Sequence, residues 1–289
     1  MRCDDGGNAS SERSDGDMPS GPSRVLLDVR DLVFGYTAKD TLSGVNIQIR
    51  SGEFIGLLGP NGSGKTTLMR CISHILRYKS GTIDIDGKCV RDLTRDEISR
   101  LSTTVPADAP TEFSLTTRDF VTLGRSPHAT SWIWESERDI QMVDKAMWDF
   151  AISHFSHRKL HELSSGERAR ALLAKGFVQE PKLMMVDEPS AHLDIKYKVQ
   201  VMQMLKGLAS DGMTVFMASH DINLVSSYCD KVLLLSDGKI RGYGAPREII
   251  TELSMREVFG IDVKVIFDDG IPYILPRPPG EGTEFRVSK

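Results

Sequence analysis

The chain has 289 residues, of which 40% are hydrophobic and 26% charged, and a formal net charge of −4. These values fit an ordinary globular chain long enough for one large domain or two small ones, and the acidic balance argues against a broad nucleic-acid-binding surface. No run approaches the roughly 18 apolar residues a membrane-crossing helix needs, so a membrane role would come through a partner.

Residues 1–24 are rich in Ser, Gly and Asp and lack the apolar segment of roughly 7–15 residues that a secretory signal requires. The expectation is a disordered leader on a cytoplasmic chain. The four cysteines, Cys3, Cys71, Cys89 and Cys229, are scattered without C-x-x-C spacing. That pattern indicates neither a metal site nor a disulfide framework, and it suits a reducing interior.

Strand-like apolar content marks residues 25–34 and 45–49. Between them stands Tyr36, which can either stack on a base or serve as a half-buried tyrosine at a strand end. After a Ser51-Gly52 turn comes the apolar run Phe54-Ile55-Gly56-Leu57-Leu58, then Gly59-Pro60-Asn61-Gly62-Ser63-Gly64-Lys65-Thr66-Thr67, then a helical pattern over residues 68–76. Strand, glycine-rich loop and helix in that order predict a phosphate-binding P-loop. The glycines let successive N–H groups converge on phosphate oxygens, and a helix starting near Lys65 adds the positive end of its dipole. Asn61, Gly62, Ser63, Gly64, Lys65, Thr66 and Thr67 are therefore candidate ligands of a nucleoside triphosphate. Lys65 reaches the β- and γ-phosphates, and the Thr66 hydroxyl is offered to Mg²⁺.

Residues 81–88 alternate and turn at Asp86-Gly87 as a hairpin, and Thr94 with Glu97 reads as a capping box. From about residue 111 to 165 strand signals fade and a helical insertion is expected. Ser136 would open one helix there, with Ile140, Val143, Met147 and Phe150 as its apolar stripe. Ser164 and Glu167 stand at capping-box spacing before a run of helix formers over residues 168–179.

The run Lys182-Leu183-Met184-Met185-Val186 predicts a buried strand that delivers Asp187 and Glu188 at its end. Beside a P-loop this is a Walker B pattern, with Asp187 directed to the magnesium shell and Glu188 placed to take a proton from an attacking water. A helix over 195–209 and a buried strand over 213–218 follow, the latter ending at Ser219-His220-Asp221. A histidine there can donate to a phosphate oxygen or simply be a satisfied polar residue. Strands at 231–235 and 239–243 flank Asp237-Gly238. Two short helical patterns come next, and residues 263–275 alternate about Asp269-Gly270 as a small C-terminal hairpin. The tail, from 277 on, is expected to be mobile.

Taken in order, these motifs resemble the ATP-binding subunit of ABC transporters over roughly residues 25–265. The resemblance implies an α/β fold: a P-loop NTPase core spanning about 25–276, with an antiparallel β subdomain, a helical insertion and a small C-terminal hairpin. It implies that Tyr36 stacks on adenine, that Leu163-Ser164-Ser165-Gly166-Glu167 is the signature sequence, that residues 190–194 form the D-loop, and that His220 is the switch histidine. Catalysis would then rest on Glu188, His220 and Lys65, with ATP as substrate and Mg²⁺ held by Thr66 and Asp187, partly through water. In that family two copies pair head to tail, so that Ser164 and Gly166 of one close over the γ-phosphate held by the other.

Two positions depart from the family pattern. The third signature residue is Ser165 rather than glycine, and Ala107 stands where a glutamine usually touches the magnesium and the lytic water. Either Asp108 substitutes after a one-residue shift, or water fills the gap, or hydrolysis is slow. Within the family, residues 121–128, 219–224 and 252–260 are most similar to importers of iron chelates, haem and cobalamin, and molybdate-type importers share much of them. The implied partners are a second copy of the chain, integral-membrane permease subunits and, indirectly, a solute-binding protein, at the cytoplasmic face of the cell membrane and without nucleic acid. The alternative is a nucleotide-responsive binding protein of low turnover. A chromosome-maintenance ATPase would carry a long coiled coil between the P-loop and signature motifs, and no sustained heptads occur.

Overall fold

The computed structural model describes residues 24–108, 114–128, 136–189 and 193–277. The expected leader apart from Arg24, parts of the helical insertion, the Ser190-Ala191-His192 part of the D-loop-like stretch and the tail beyond Arg277 lie outside the described residues. In chain order, β1 (Val25–Phe34) and β2 (Leu42–Arg50) precede β3 (Phe54–Leu58) and α1 (Lys65–Ile72), and β4 (Ser80–Ile85), β5 (Lys88–Cys89), α2 (Arg95–Leu101) and β6 (Ser102–Val105) follow. The insertion contributes α3 (Thr117–Thr122), a 3-10 segment (Leu123–His128) and α4 (Glu137–Asp149), and leads into α5 (Ser165–Val178). The chain then alternates β7 (Leu183–Asp187), α6 (Ile195–Ser210), β8 (Thr214–Ala218), α7 (Ile222–Tyr228) and β9 (Lys231–Ser236). It closes with β10 (Lys239–Gly244), α8 (Pro246–Ile249), α9 (Glu252–Phe259), β11 (Val263–Asp268) and β12 (Ile271–Pro276).

Three sheets result. An antiparallel one has the order β2-β1-β4-β5, a second has the order β10-β9-β3-β8-β7-β6, and β11 and β12 pair alone. In the second, β9, β3, β8, β7 and β6 run parallel and β10 returns antiparallel at the edge. This is the α/β architecture implied by the resemblance. Its central strand is buried along its whole length, which is why residues 54–58 read as an unbroken apolar run rather than an alternating one.

Successive side chains of a strand point to opposite faces, so each parallel strand feeds two cores. Ile55, Leu57, Met185, Phe216 and Leu233 pack with α1 and the antiparallel sheet. Phe54, Leu58, Met184, Val186, Val215, Met217 and Leu234 pack with the helices of the insertion and with α5 and α6. Gly56 sits mid-strand because α7 crosses it closely: a Cβ there would stand 2.3 Å from Val225 Cγ1.

The helix starts follow the sequence. Thr94 and Ser164 form reciprocal capping boxes with Glu97 and Glu167, and Ser136 accepts the Asp139 N–H at the start of α4. Two expectations need correction. Ile140 does not join the α4 stripe and is 36% exposed, whereas Val143, Met147 and Phe150 are buried. The helix expected to run to Leu76 ends at Ile72, because Ser73 Oγ takes the Met69 carbonyl at 3.0 Å and His74 turns into the left-handed region, φ 54°.

The insertion is fastened by a buried arginine inside the 121–128 stretch. Arg125, 6% exposed, donates to Asp139 Oδ1 (2.6 Å), to the Val178 carbonyl (2.6 Å) and to Glu180 Oε2 (2.7 Å). One guanidinium thus joins the 3-10 segment, α4 and the end of α5. Burial alone would raise the Asp139 and Glu180 carboxyls, but hydrogen bonds and the Arg125 charge outweigh it and hold both below the usual range. Arg125→Met should cost about 2–4 kcal/mol, near the range for stripping one partner from a buried pair and lowered because Glu180 is partly solvated. Carboxyls held low stabilise the fold above their unfolded pKa of about 4 and lose that contribution as pH falls through the folded value. Urea midpoints should therefore fall on acidification below about pH 4 more steeply in the parent chain than in Arg125→Met.

Candidate functional site

The ends of three neighbouring strands meet at one edge of the parallel sheet, the position where open α/β sheets bind ligands. From β3 the chain enters the loop 59–64. Gly59 has no room for a side chain, since a Cβ would lie 2.1 Å from the Leu235 carbonyl, and Gly64 takes φ 106° immediately before α1. Helices α2, α3, α4, α5, α6, α7 and α9 each begin with a Ser, Thr or Asp side chain that accepts a first-turn N–H. By contrast α1 begins on Gly64, with no side-chain cap and no acidic residue in its first turn. Its leading N–H groups and dipole face the loop without an acceptor side chain, which is the chemistry of an anion site.

Lys65 folds back over this loop. Its Nζ donates to the carbonyls of Gly59 (2.8 Å) and Pro60 (3.1 Å). Burial pushes its pKa down, while the charges of Glu188 and Asp187 oppose the shift. Asn61 and Gly62 are exposed, Thr66 is half-buried and Thr67 is buried. Ser63 Oγ is buried without a hydrogen-bond partner. Tyr36, 58% exposed, places its hydroxyl 3.4 Å from Thr67 Oγ1 and its ring edge-on to Phe34, with centroids 4.9 Å apart. It stands beside the loop with a ring face open to solvent.

Asp187 and Leu57 both lie in register with Ala218 on β8. The β7 carboxylates are therefore two strand spacings, about 10 Å, from the strand that feeds the loop. Glu188 adopts φ 52°, a conformation costing roughly 1–2 kcal/mol for a residue with a Cβ. Two bonds hold it there: its N–H donates to the Ala218 carbonyl at 3.0 Å, and its Oε1 lies 2.6 Å from His220 Nε2. A carboxylate only accepts, so Nε2 is the donor. Ser219 N–H donates to the Leu57 carbonyl at 3.1 Å, which brings the histidine beside the loop. Lys65, Asp187, Glu188 and His220 thus converge from separate stretches of chain.

Asp187 Oδ1 is buried and has no hydrogen-bond partner among the described residues. Among the described residues no group of three or more His, Cys, Asp or Glu could hold a metal alone. A lone carboxylate oxygen fits Mg²⁺, which shares its shell between one or two protein oxygens, phosphates and water.

A family model described as ABC transporter matches residues 42–191. The chain belongs to the ABC transporter family. It is 35% identical over 257 residues to the cobalamin import ATP-binding protein BtuD of Halobacterium salinarum, covering 88% of this chain and 64% of that protein. It is 34% identical over 268 residues to the hemin import ATP-binding protein HmuV of Bordetella avium, covering 90% of this chain and 98% of that one. Among solved structures, a metal-chelate type ABC transporter in an inward-facing conformation superimposes with a TM-score of 0.77 at 26% identity, over 88% of this chain and 98% of that one. A dimeric ATP-binding cassette in a post-hydrolysis state bound to ADP and Pi gives 0.67 at 25%, over 76% and 98%.

Residues 163–167, which resemble the family's signature sequence, make their contacts away from this cluster. Ser164 and Glu167 cap α5 reciprocally, at 2.8 and 3.3 Å. Gly166 is needed because the Tyr197 ring lies where its Cβ would be, 2.7 Å away. Ser165 is exposed, so its hydroxymethyl meets no obstacle within the chain. Asp108 pairs with Arg168 of α5, 3.7 Å from Nε, so its carboxylate is turned toward that helix. Sequence reasoning missed the structural parts played by Arg125 and Tyr197, whose contacts are made at separations no periodicity reports. Of the two carboxylates that accept from Arg125, Asp139 stood in the helix start at Ser136, which gave no sign of that contact, and Glu180 carried no local motif.

Lys65→Ala should abolish tight Mg-ATP binding, because it removes the only side-chain cation assigned to the loop while leaving the backbone path intact. Isothermal titration showing parental affinity would overturn the assignment of this loop.

Proposed function

We propose that this chain is the ATP-hydrolysing subunit of an ABC importer. It would act as a head-to-tail pair at the cytoplasmic face of the membrane, with integral-membrane permease subunits and, indirectly, a solute-binding protein. Among the described residues no helix is long and apolar enough to cross a membrane, so transport would need those other subunits. One observation carries the reading: an uncapped helix start faces the Glu188–His220 pair across adjacent strand ends.

The chemistry follows from these groups. The loop N–H groups and Lys65 bind and orient the triphosphate, and Tyr36 offers its open face to the base. Mg²⁺, held by Thr66 and Asp187, would neutralise phosphate charge. Glu188 accepts the proton of the attacking water. The Nε2–H of His220, which the Glu188 carboxylate accepts in this structure, would have to leave that carboxylate to reach a γ-phosphate oxygen. Ser164 and Gly166 lie at the N-terminus of α5 and would cover the nucleotide of a second copy, so that triphosphate favours the closed pair and diphosphate does not. An iron chelate, haem or cobalamin is the solute proposed, in keeping with the names of the relatives. A molybdate-type or other solute is the runner-up.

The engagement of Asp108 with Arg168, beside the side-chain-poor Ala107, favours slow turnover as a second reading. ATPase assays with and without the permease separate the two. Glu188→Gln should cut turnover by about 10²–10⁴-fold, the usual contribution of a general base, and should trap an ATP-dependent dimer in analytical ultracentrifugation. Undiminished turnover would remove Glu188 from the mechanism.

A further inference from the structure

The C-terminal hairpin β11–β12 belongs to neither large sheet, and a two-stranded ribbon is marginal on its own. It is held against α7 by side chains of that helix. Asn223 grips one residue of β12 from both sides: its Nδ2 donates to the Ile274 carbonyl at 3.3 Å and its Oδ1 accepts the Ile274 N–H at 2.9 Å. Ser226 Oγ donates to the Pro272 carbonyl at 2.6 Å, and Ser227 Oγ lies 3.3 Å from the Tyr273 hydroxyl.

Asn223 stands three positions after His220. The intervening Asp221 caps α7 by accepting the Leu224 N–H at 3.2 Å. Its carboxylate also forms an ion pair with Lys198 of α6, 3.6 Å from Nζ, and its own N–H donates to Ser219 Oγ at 3.0 Å. The other flank of α7 presses on the strand feeding the phosphate loop, where Val225 fills the space above Gly56. A helix of seven residues has little stability of its own and takes its position from what it packs on. α7 is therefore wedged between β3 and β12, with the Glu188–His220 hydrogen bond at its leading end.

We propose that Asn223 is a positioning residue for His220, and that β12 is the strut against which α7 sets the histidine when triphosphate replaces diphosphate. This rests on the nucleotide-hydrolysing reading given above. The hairpin is then part of the nucleotide-sensing machinery: a shift of His220 toward a γ-phosphate must either strain the Asn223–Ile274 bonds or carry β12 with it.

A double-mutant cycle on the full chain, with permease supplied, tests this. Asn223→Ala should lower kcat about three- to tenfold, a typical size for a coupling residue outside the chemistry, and leave the KM for Mg-ATP within about twofold. In the His220→Ala background the same substitution should have no further effect. An equal loss in both backgrounds, or no loss in the parent, overturns the proposal in favour of a merely structural contact. Hydrogen exchange on the Glu188→Gln chain gives a readout that needs no turnover. Mg-ATP should change the exchange rate of the Ile274 amide several-fold, and Mg-ADP should not. Nucleotide binding with β12 amides unmoved would sink the strut alone, whereas a chain that bound no Mg-ATP would sink the functional reading and this inference with it.

Discussion

The first turn of α1 starts on a left-handed glycine, and no side chain accepts its N–H groups. A helix end left open inside a fold is unfavourable unless another group completes it, and its free N–H groups suit an anion. Much of the surrounding structure makes sense as support for that opening. The strand before it is buried from Phe54 to Leu58, so the loop leaves from a rigid base. Lys65 is tied to the loop's own carbonyls, which holds a cation in place while no phosphate competes for it. The strands carrying Asp187 and His220 lie close enough in the sheet order to face the same opening.

Within this frame the acidic side of the site is under deliberate tension. Asp187 presents an oxygen with no partner, and Glu188 occupies a backbone region that disfavours side chains. Both costs are local, one at a side-chain oxygen and the other in the backbone of the next residue. The capping helices elsewhere show the opposite habit: their first turns are closed by their own side chains, Ser164 of the signature among them. The Ser164 hydroxyl and the Glu167 carboxylate are thus already engaged within α5.

The parts legible in the sequence were those written in short-range patterns. The P-loop spacing, the apolar run ending at Asp187-Glu188, the Asp-Gly turns and the Ser/Thr caps each depend on residues a few positions apart, and each appears where those patterns place it. Ile140 was misplaced because helical spacing cannot tell the rim of a stripe from its centre. The overrun of α1 to Leu76 came from apolar residues continuing past a stop set by Ser73 and a left-handed His74. The contacts of Arg125 with Glu180 and of Asn223 with Ile274 join residues 55 and 51 positions apart. Tertiary placement alone creates them, and no window of sequence contains both ends.

The parallel sheet also works as a bulkhead. Because neighbouring residues on β3, β7 and β8 point into different cores, the helical layer and the layer around α1 share a wall but few side chains. The wall is not sealed, since Phe54 and Leu58 of β3 pack on the helical side with Val225 of α7, while Ile55 and Leu57 of the same strand pack on the α1 side. Volume changes on either side of this wall therefore reach the loop 59–64 through one shared strand.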